Sequence, residues 1–181
     1  MFTICINVDI SMELTATLKN ELESIYNSLL NDERVLQMKS IPMHKGSNCY
    51  IHSFKVAKRA IKVALKYKKE LKLKALLYAS ILHDYYLYDW RVDKSKRSKH
   101  LYTHAELAVK QAKRDFEISD EIAEIMISHM WPVDLKYYPH TKEAKILVNA
   151  DNYVATKEFM TTKKYKQKRE DEYLKEIMNL F

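Results

Sequence analysis

Apolar residues recur every three or four positions along most of the chain, the spacing that places them on one face of a helix. The clearest run, Leu14, Leu18, Leu22, Ile25 and Leu29, predicts an amphipathic helix over residues 11–30. The same spacing predicts helices over residues 33–38, 48–68, 72–86, 118–130 and 141–159, and a C-terminal helix within residues 160–181.

Local signals predict where some of these helices begin and end. Thr103 and Glu106 have the S/T-x-x-E spacing of a capping box, so a helix is predicted to start there, with His104 in its first turn. Pro132 is expected to end the helix over residues 118–130, because proline cannot donate a backbone hydrogen bond.

The first residues depart from the helical pattern. From Phe2 to Ile10, apolar and polar residues alternate with the period of two that is typical of a strand. No second stretch offers a partner strand, so residues 1–11 are predicted to be an extended appendage. The alternative is that this segment precedes the true start of the protein, because Met12 opens the first helix.

Composition favours a helical fold. The 181 residues include one glycine and three prolines, too few for the turns of an all-β or Rossmann-type fold. A chain of this length can bury a substantial core in one domain. We therefore expect an all-α, single-domain helical bundle over residues 1–181, with its core at about residues 44–159.

The net charge of +7 does not by itself indicate a nucleic-acid partner, because 24 acidic residues accompany 31 lysines and arginines. The basic run at residues 163–169 has no aromatic platform beyond Tyr165, so nucleic acid is not the expected partner there either.

The two cysteines suggest no disulfide framework, and no apolar run is long enough to span a bilayer. We expect a cytoplasmic protein without a signal peptide or a membrane partner.

The apolar run at residues 76–82 ends in an imidazole and a carboxylate, those of His83 and Asp84. Buried polar groups need partners, and a buried carboxylate is especially costly without one. Other predicted helices also carry a histidine or an aspartate on an apolar face or at an end. These candidates, called here the His–Asp cluster, are His52, His83, Asp84, His104, His129 and Asp151.

Each member of the cluster has a simpler explanation when taken alone. A single histidine on an apolar face is more often a core residue with one hydrogen bond than a ligand, and Asp151 fits a buried acid bonded to a tyrosine. Taken together, two carboxylates among aliphatic residues would be costly unless they share a cation. Histidine and carboxylate ligands from several helices suit a divalent transition metal, so the sequence predicts a metal site between helices.

The order of the cluster resembles a known signature. Its first histidine, the His83–Asp84 pair and its last aspartate are similar to the H…HD…D pattern of the HD-domain superfamily of metal-dependent phosphohydrolases, an all-helical group. His104 and His129 resemble the two extra histidines of its binuclear members. The resemblance covers residues 44–155.

The residues around the cluster extend this resemblance. Residues 76–84, 88–91 and 129–132 look like those of a small bacterial branch of HD-domain hydrolases. Lys55 departs from the pattern, because many members have arginine at that position, although lysine keeps the positive charge.

The resemblance implies a catalytic metal site. One ion is held by His52, His83, Asp84 and Asp151, and Asp84 bridges to a second ion held by His104 and His129. A water between two metals loses a proton readily near neutral pH and attacks phosphorus, so no serine or cysteine nucleophile is required. The expected cofactors are one or two divalent ions: Mn, Fe, Co, Ni or Zn, with Mg also compatible with the second position.

The expected substrate is a small phosphoester, for example a nucleotide, and both monoesterase and diesterase activity fit. Arg91 is the first candidate to bind its phosphate, because it follows the apolar helix closely and lies beside Trp90. Lys55 is one helical turn from His52 and is the second candidate. The other basic residues up to His100 fit a solvated loop equally well.

Two other functions stay open at this point. An HD module that holds a nucleotide or nucleic acid without turnover would show salt-dependent anion binding and no phosphate release. A purely structural bundle would pair the cluster with protein groups alone. The C-terminal apolar stripe is expected to pack on the protein's own core, with a homodimer contact as the alternative.

Overall fold

The computed structural model describes residues 15–43, 47–67, 70–92 and 99–160. Over these ranges the protein is all-α, as predicted, with helices and no strand. The predicted extended segment at residues 1–11 lies outside them, as does nearly all of the predicted helix at 160–181. The single-domain organisation of residues 1–181 therefore stays a prediction. Among the helices of the described ranges, none is long and apolar enough to cross a bilayer.

Seven α-helices and one 3₁₀ turn make up the described fold. They are α1 (Ala16–Asn31), α2 (Glu33–Leu36), the 3₁₀ turn (Gln37–Ser40), α3 (Cys49–Ala64), α4 (Leu73–Leu82), α5 (His100–Phe116), α6 (Asp120–Ile127) and α7 (Lys142–Met160). Short polar side chains fix several starts, because their oxygens accept from a backbone N–H of the first turn. They are Thr15, Asp32, Asn48, Ser119 and Thr141.

Helix α4 lies at the centre of the bundle. It contacts α1, α3, α5, α6 and α7, and eight of its ten residues are buried. A helix that is apolar on all sides is stable only when it is surrounded in this way. Because α4 is enclosed, its C-terminal end delivers the following residues, His83 and Asp84, to the interior, where they are 0% and 4% exposed.

Three helices end earlier than the sequence predicts. The helix expected over 48–68 ends at Ala64. The helix expected over 72–86 ends at Leu82, and the helix expected over 118–130 ends at Ile127. His83, Asp84 and His129 therefore lie in the turns directly after α4 and α6, rather than within the helices.

The predicted capping box at Thr103 is wrong. Helix α5 begins at His100, and His104 lies in its second turn. The Thr103 hydroxyl donates to the Lys99 carbonyl at 3.0 Å, the bond that threonine makes inside a helix. The helix extends further because the His100 ring is buried between the rings of Trp90 and His104.

Candidate metal centre

The structure brings together all six residues of the His–Asp cluster. They come from α3, the turns after α4 and α6, α5, and α7. Three groups have ligand atoms that all lie within 4.8 Å of one another: His52, His83 and Asp84; His83, His129 and Asp151; and Asp84, His104 and His129. The cluster therefore forms only when α3, α4, α5, α6 and α7 are packed together.

Backbone carbonyls hold three of the imidazoles in place. The Nδ1–H of His83 donates to the Ser80 carbonyl at 2.9 Å, and that of His129 donates to the Met126 carbonyl at 2.8 Å. Carbonyls in the last turn of a helix have no partner within the helix, so α4 and α6 offer these acceptors at their ends. Within α5, the Nδ1–H of His104 donates to the carbonyl four residues earlier at 2.7 Å.

These bonds determine which ring nitrogen faces the cluster. A carbonyl oxygen only accepts, so Nδ1 carries the proton and Nε2 is turned inward. This is the arrangement in which proteins orient metal-binding histidines.

One half of the cluster, called here the first half, surrounds Asp84 Oδ2 and comprises His52, His83 and Asp151. The Oδ2 atom lies 3.4 Å from His83 Nε2 and 3.9 Å from His52 Nε2. Asp151 Oδ1 is 2.9 Å from His52 Nε2 and 3.7 Å from His83 Nε2. Asp151 is the most exposed side chain of the six, at 14%, so solvent reaches the cluster on this side.

The second half surrounds the other oxygen of the same carboxylate. Asp84 Oδ1 lies 3.4 Å from His104 Nε2 and 3.6 Å from His129 Nε2. The two Nε2 atoms are 2.9 Å apart. Asp84 is thus the residue that both halves share.

Charge is distributed unevenly between the halves. Burial disfavours the charged form of His52, but hydrogen bonds to Asp151 and Glu158 outweigh it and raise its pKa to about 10. Burial, together with two neighbouring imidazoles, lowers the pKa of His129 to about 3. Burial also opposes ionisation of Asp84, yet three nearby imidazoles hold its pKa well below the usual range. The first half is therefore charged, and His129 is neutral.

The donor set fits a divalent cation. His83 Nε2 is buried and has no hydrogen-bond partner, which is costly for a polar atom unless a cation occupies the space in front of it. His104 and His129 direct two Nε2 lone pairs at each other, and a cation between them would remove that repulsion. Two nitrogen ligands at about 2.1 Å from one ion are about 3.0 Å apart in octahedral geometry, close to the observed separation.

Glu158 belongs to the site and was missed in the sequence. It is 5% exposed, and its Oε2 accepts from the Nδ1–H of His52 at 3.0 Å. Its Oε1 accepts from Lys55 Nζ at 2.9 Å and from the Ser47 hydroxyl at 3.0 Å. Burial raises the pKa of Glu158, but His52 and Lys55 outweigh it and lower it to about 2. The available signal was its spacing, because it lies two helical turns after Asp151 on the same face.

Lys55 and Arg91, the predicted phosphate-binding residues, have different surroundings. The Lys55 ammonium is bound to Glu158 and so connects to the Nδ1 side of His52. The Arg91 guanidinium donates to the Met43 carbonyl and lies 5.3 Å from the centre of the Trp90 ring.

A ring stack connects Trp90 to the second half. The Trp90 ring stacks on His100 at 5.1 Å, and His100 stacks on His104 at 4.6 Å. The Tyr88 hydroxyl lies 2.8 Å from His100 Nδ1. Arg91 therefore lies at the outer end of a stack that leads to His104, a predicted metal ligand.

The basic residues at 93–98, and His44, lie outside the described residues. His140 is exposed and packs on Tyr138, away from the cluster.

Comparison with known proteins identifies the family of the chain. No curated protein and no solved structure matches the chain significantly. A family model described as the HD domain matches residues 49–156, well over half of the chain. This range includes the whole His–Asp cluster, whereas Glu158 lies just beyond it. The chain therefore belongs to the HD-domain family.

Proposed function

We propose that this protein is a metal-dependent phosphohydrolase that cleaves a phosphoester. The observation that carries the proposal is the position of Asp84, whose two carboxylate oxygens face two different sets of histidine Nε2 atoms. A single carboxylate placed in this way can hold two cations side by side. Membership of the HD-domain family, which consists generally of metal-dependent hydrolases, supports the same chemistry.

Each member of the cluster has a proposed role. The first half, with Asp84 Oδ2, would hold one ion, and the second half, with Asp84 Oδ1, would hold another. Bound divalent ions would supply a nucleophile by lowering the pKa of a water, and would neutralise phosphoryl oxygens. The carbonyl bonds to Nδ1 keep the ligand nitrogens directed inward, and burial of the cluster excludes bulk water from most sides. The donor set of nitrogen and oxygen suits Mn, Fe, Co, Ni or Zn, with Mg also compatible at the second position.

The substrate side of the site is proposed from exposure and charge. Asp151 is the partly exposed member of the first half. The Lys55 side chain is 22% exposed, and it binds Glu158, which in turn binds His52. A phosphoester approaching there would meet Lys55, while Arg91 lies on the side of the second half. We propose a small phosphorylated substrate, such as a nucleotide, and a cytoplasmic location.

A purely structural role for the cluster is disfavoured by His83. In a bundle that pairs its buried histidines with protein groups, Nε2 would form a hydrogen bond. Among the described residues it forms none, although Asp84 Oδ2 lies 3.4 Å away.

The test compares Asp84→Ala with a matched control. The control is Asp134→Ala, which removes another buried carboxylate. Asp134 is 9% exposed, close to the 4% of Asp84, but it lies outside the cluster. The wild-type protein and both variants are reconstituted with Mn²⁺, Co²⁺ or Zn²⁺, and bound metal is measured by elemental analysis. Phosphate release is then screened over nucleotides, cyclic nucleotides and an aryl phosphate.

We expect Asp84→Ala to lose both metal and turnover, because the shared ligand is removed from both halves, while Asp134→Ala keeps both. Wild-type protein that binds no divalent ion would refute the proposal. Metal binding without turnover of any phosphoester would instead indicate a nucleotide- or nucleic-acid-binding HD module.

A further inference from the structure

A basic groove lies on α3, away from the His–Asp cluster. It has a volume of about 390 Å³ and is lined by Arg59, Lys62, Val63, Lys66 and Tyr67. Arg59 is seven residues beyond His52, which corresponds to about 10 Å along the helix axis. No member of the cluster lines this groove, so its chemistry is separate from that of the cluster.

The cations of the groove have no ion-pair partner among the described residues. In the described part of the chain, no carboxylate lies within ion-pair distance of Arg59, Lys62 or Lys66, and no carboxylate lines the groove. Cations elsewhere on the surface are paired: Lys72 binds Glu121, and Lys136 binds Glu106. A concave site with several unneutralised cations concentrates anions.

Arg59 is positioned in advance to donate hydrogen bonds. Its guanidinium carbon lies 4.2 Å from the centre of the Tyr153 ring, on α7, and this cation–π contact favours one position of the side chain. Its Nε is buried and has no hydrogen-bond partner among the described residues. Arginine held in this way suits a phosphate oxygen, which can accept from the fork in a bidentate geometry.

The groove also offers an aromatic ring. Tyr67 is 40% exposed, and in the described ranges no ring or cation stacks on it. Tyr153 differs, because its ring already contacts Arg59 and Lys157. Val63 adds an apolar wall beside Tyr67. A planar base can stack on such a ring while its phosphates contact the cations.

We propose that this groove binds a nucleotide that carries at least two phosphates. Arg59, Lys62 and Lys66 hold the phosphates, and Tyr67 stacks on the base. The volume lies within the range of sites for small molecules. Binding here does not use the metal ligands, so the groove is a second nucleotide site, separate from the proposed hydrolytic centre.

The test uses chelator-treated protein, in which metal-dependent phosphate binding at the cluster is absent. Titration calorimetry compares ADP, pyrophosphate and adenosine. We expect ADP to bind most tightly, pyrophosphate to bind about tenfold more weakly because it lacks the stacked base, and adenosine to show no saturable binding.

Variants assign the binding to the groove. Arg59→Ala combined with Lys62→Ala is expected to weaken ADP at least about tenfold, the loss typical of charged hydrogen bonds. The matched control, Lys19→Ala combined with Lys110→Ala, removes equal charge at exposed positions and should change affinity less than about twofold. Tyr67→Leu should bring the affinity for ADP down to that for pyrophosphate and leave pyrophosphate binding unchanged.

Three results would overturn the assignment: equal losses in the two double variants, pyrophosphate binding as tightly as ADP to the wild type, or disappearance of ADP binding after chelation. The groove double variant should also keep its metal content and its circular dichroism spectrum. The outcome does not depend on whether the cluster hydrolyses a phosphoester.

Discussion

The two halves of the His–Asp cluster share Asp84 but differ in the groups that contact their buried imidazoles. In the first half, His52 is bound on both ring nitrogens by carboxylates, Asp151 at 2.9 Å and Glu158 at 3.0 Å. In the second half, His104 and His129 have no carboxylate of their own and face each other at 2.9 Å. In one half the protein supplies carboxylates to the ring nitrogens of His52, whereas in the other half two imidazole nitrogens share the single carboxylate of Asp84.

This difference predicts an order of metal binding. A cation in the first half meets two carboxylates, Asp84 and Asp151, while a cation in the second half meets Asp84 alone. Because attraction grows with the number of opposite charges around an ion, the first half should bind metal more tightly. The second half should be the exchangeable position, and its occupancy should decide whether the site is mononuclear or binuclear.

The largest effect that separates the halves is expected for His104→Ala. This change removes one of the two nitrogen ligands of the second half and leaves the first half intact. We expect the protein to keep one ion per chain. Loss of a residue that only supports a metal ligand typically costs roughly 10–100-fold, and the rate of phosphate release should fall by more than that because a ligand itself is lost. Elemental analysis and initial rates measure the two quantities.

The control for His104→Ala is His140→Ala, because His140 is an exposed histidine outside the cluster. It should keep both the metal content and the rate of the wild type. Loss of both ions in His104→Ala would contradict the independence of the halves.

An intermediate effect is expected for Glu158→Gln. Glutamine keeps the shape and can still accept from His52 Nδ1–H, but the negative charge that orients and polarises the imidazole is lost. Metal affinity in the first half should fall by roughly 10–100-fold, with the second half unchanged. Competition with a metal-sensitive dye measures both affinities.

Glu143→Gln is the matched control for Glu158→Gln. Glu143 is a buried glutamate on the same helix, 8% exposed, and its Oε1 accepts from the Lys72 backbone N–H at 2.9 Å. Its replacement should leave both metal affinities unchanged. If Glu158→Gln lowered the metal affinity of both halves equally, Glu158 would act on overall stability rather than on His52.

The smallest effect is a difference in proton release. The pKa of His52 is raised to about 10, so His52 is protonated at pH 7.5 and must lose that proton before it can bind a metal. The pKa of His129 is lowered to about 3, so His129 is already neutral at that pH. Burial lowers the pKa of His83, the other histidine of the first half, but Asp84 and Asp151 outweigh it and raise that pKa. Uptake of the first ion should therefore release at least one proton more than uptake of the second, and the part due to His52 should vanish above about pH 10.

Calorimetry in two buffers with different ionisation enthalpies measures this proton count. Equal release from both ions at pH 7.5 would mean that the two halves do not differ in charge as their geometry indicates.

The comparison also separates what the sequence made predictable from what it did not. Helical periodicity and the apolar context of His83–Asp84 were enough to predict an all-α fold and to select residues that the structure brings together. Both signals are local and repeat along the chain. The role of Glu158 depends on a contact between α3 and α7, over a separation of more than a hundred residues, and its only local sign is the spacing of two helical turns from Asp151.

Helix ends were predicted less well for a related reason. The start of α5 at His100 depends on ring stacking with Trp90 rather than on the spacing of Thr103 and Glu106. The basic groove was likewise hidden, because Arg59 and Lys62 on α3 and Lys66 just after it occupy polar positions that fit a solvated surface equally well. Only the structure shows that Arg59 lies against the Tyr153 ring.

The carbonyl bonds at the ends of α4 and α6 have a consequence for motion. His83 and His129 are oriented by the last turns of these helices, so fraying of either turn would rotate a ligand nitrogen out of the cluster. Helix ends normally open more readily than helix centres. In this protein the last turns of α4 and α6 are bonded to His83 and His129. A cation bound by these histidines would therefore stabilise the same turns. Local opening of the helix ends and release of metal would then be one event, with amide hydrogen exchange at these turns reporting the residence time of the ion.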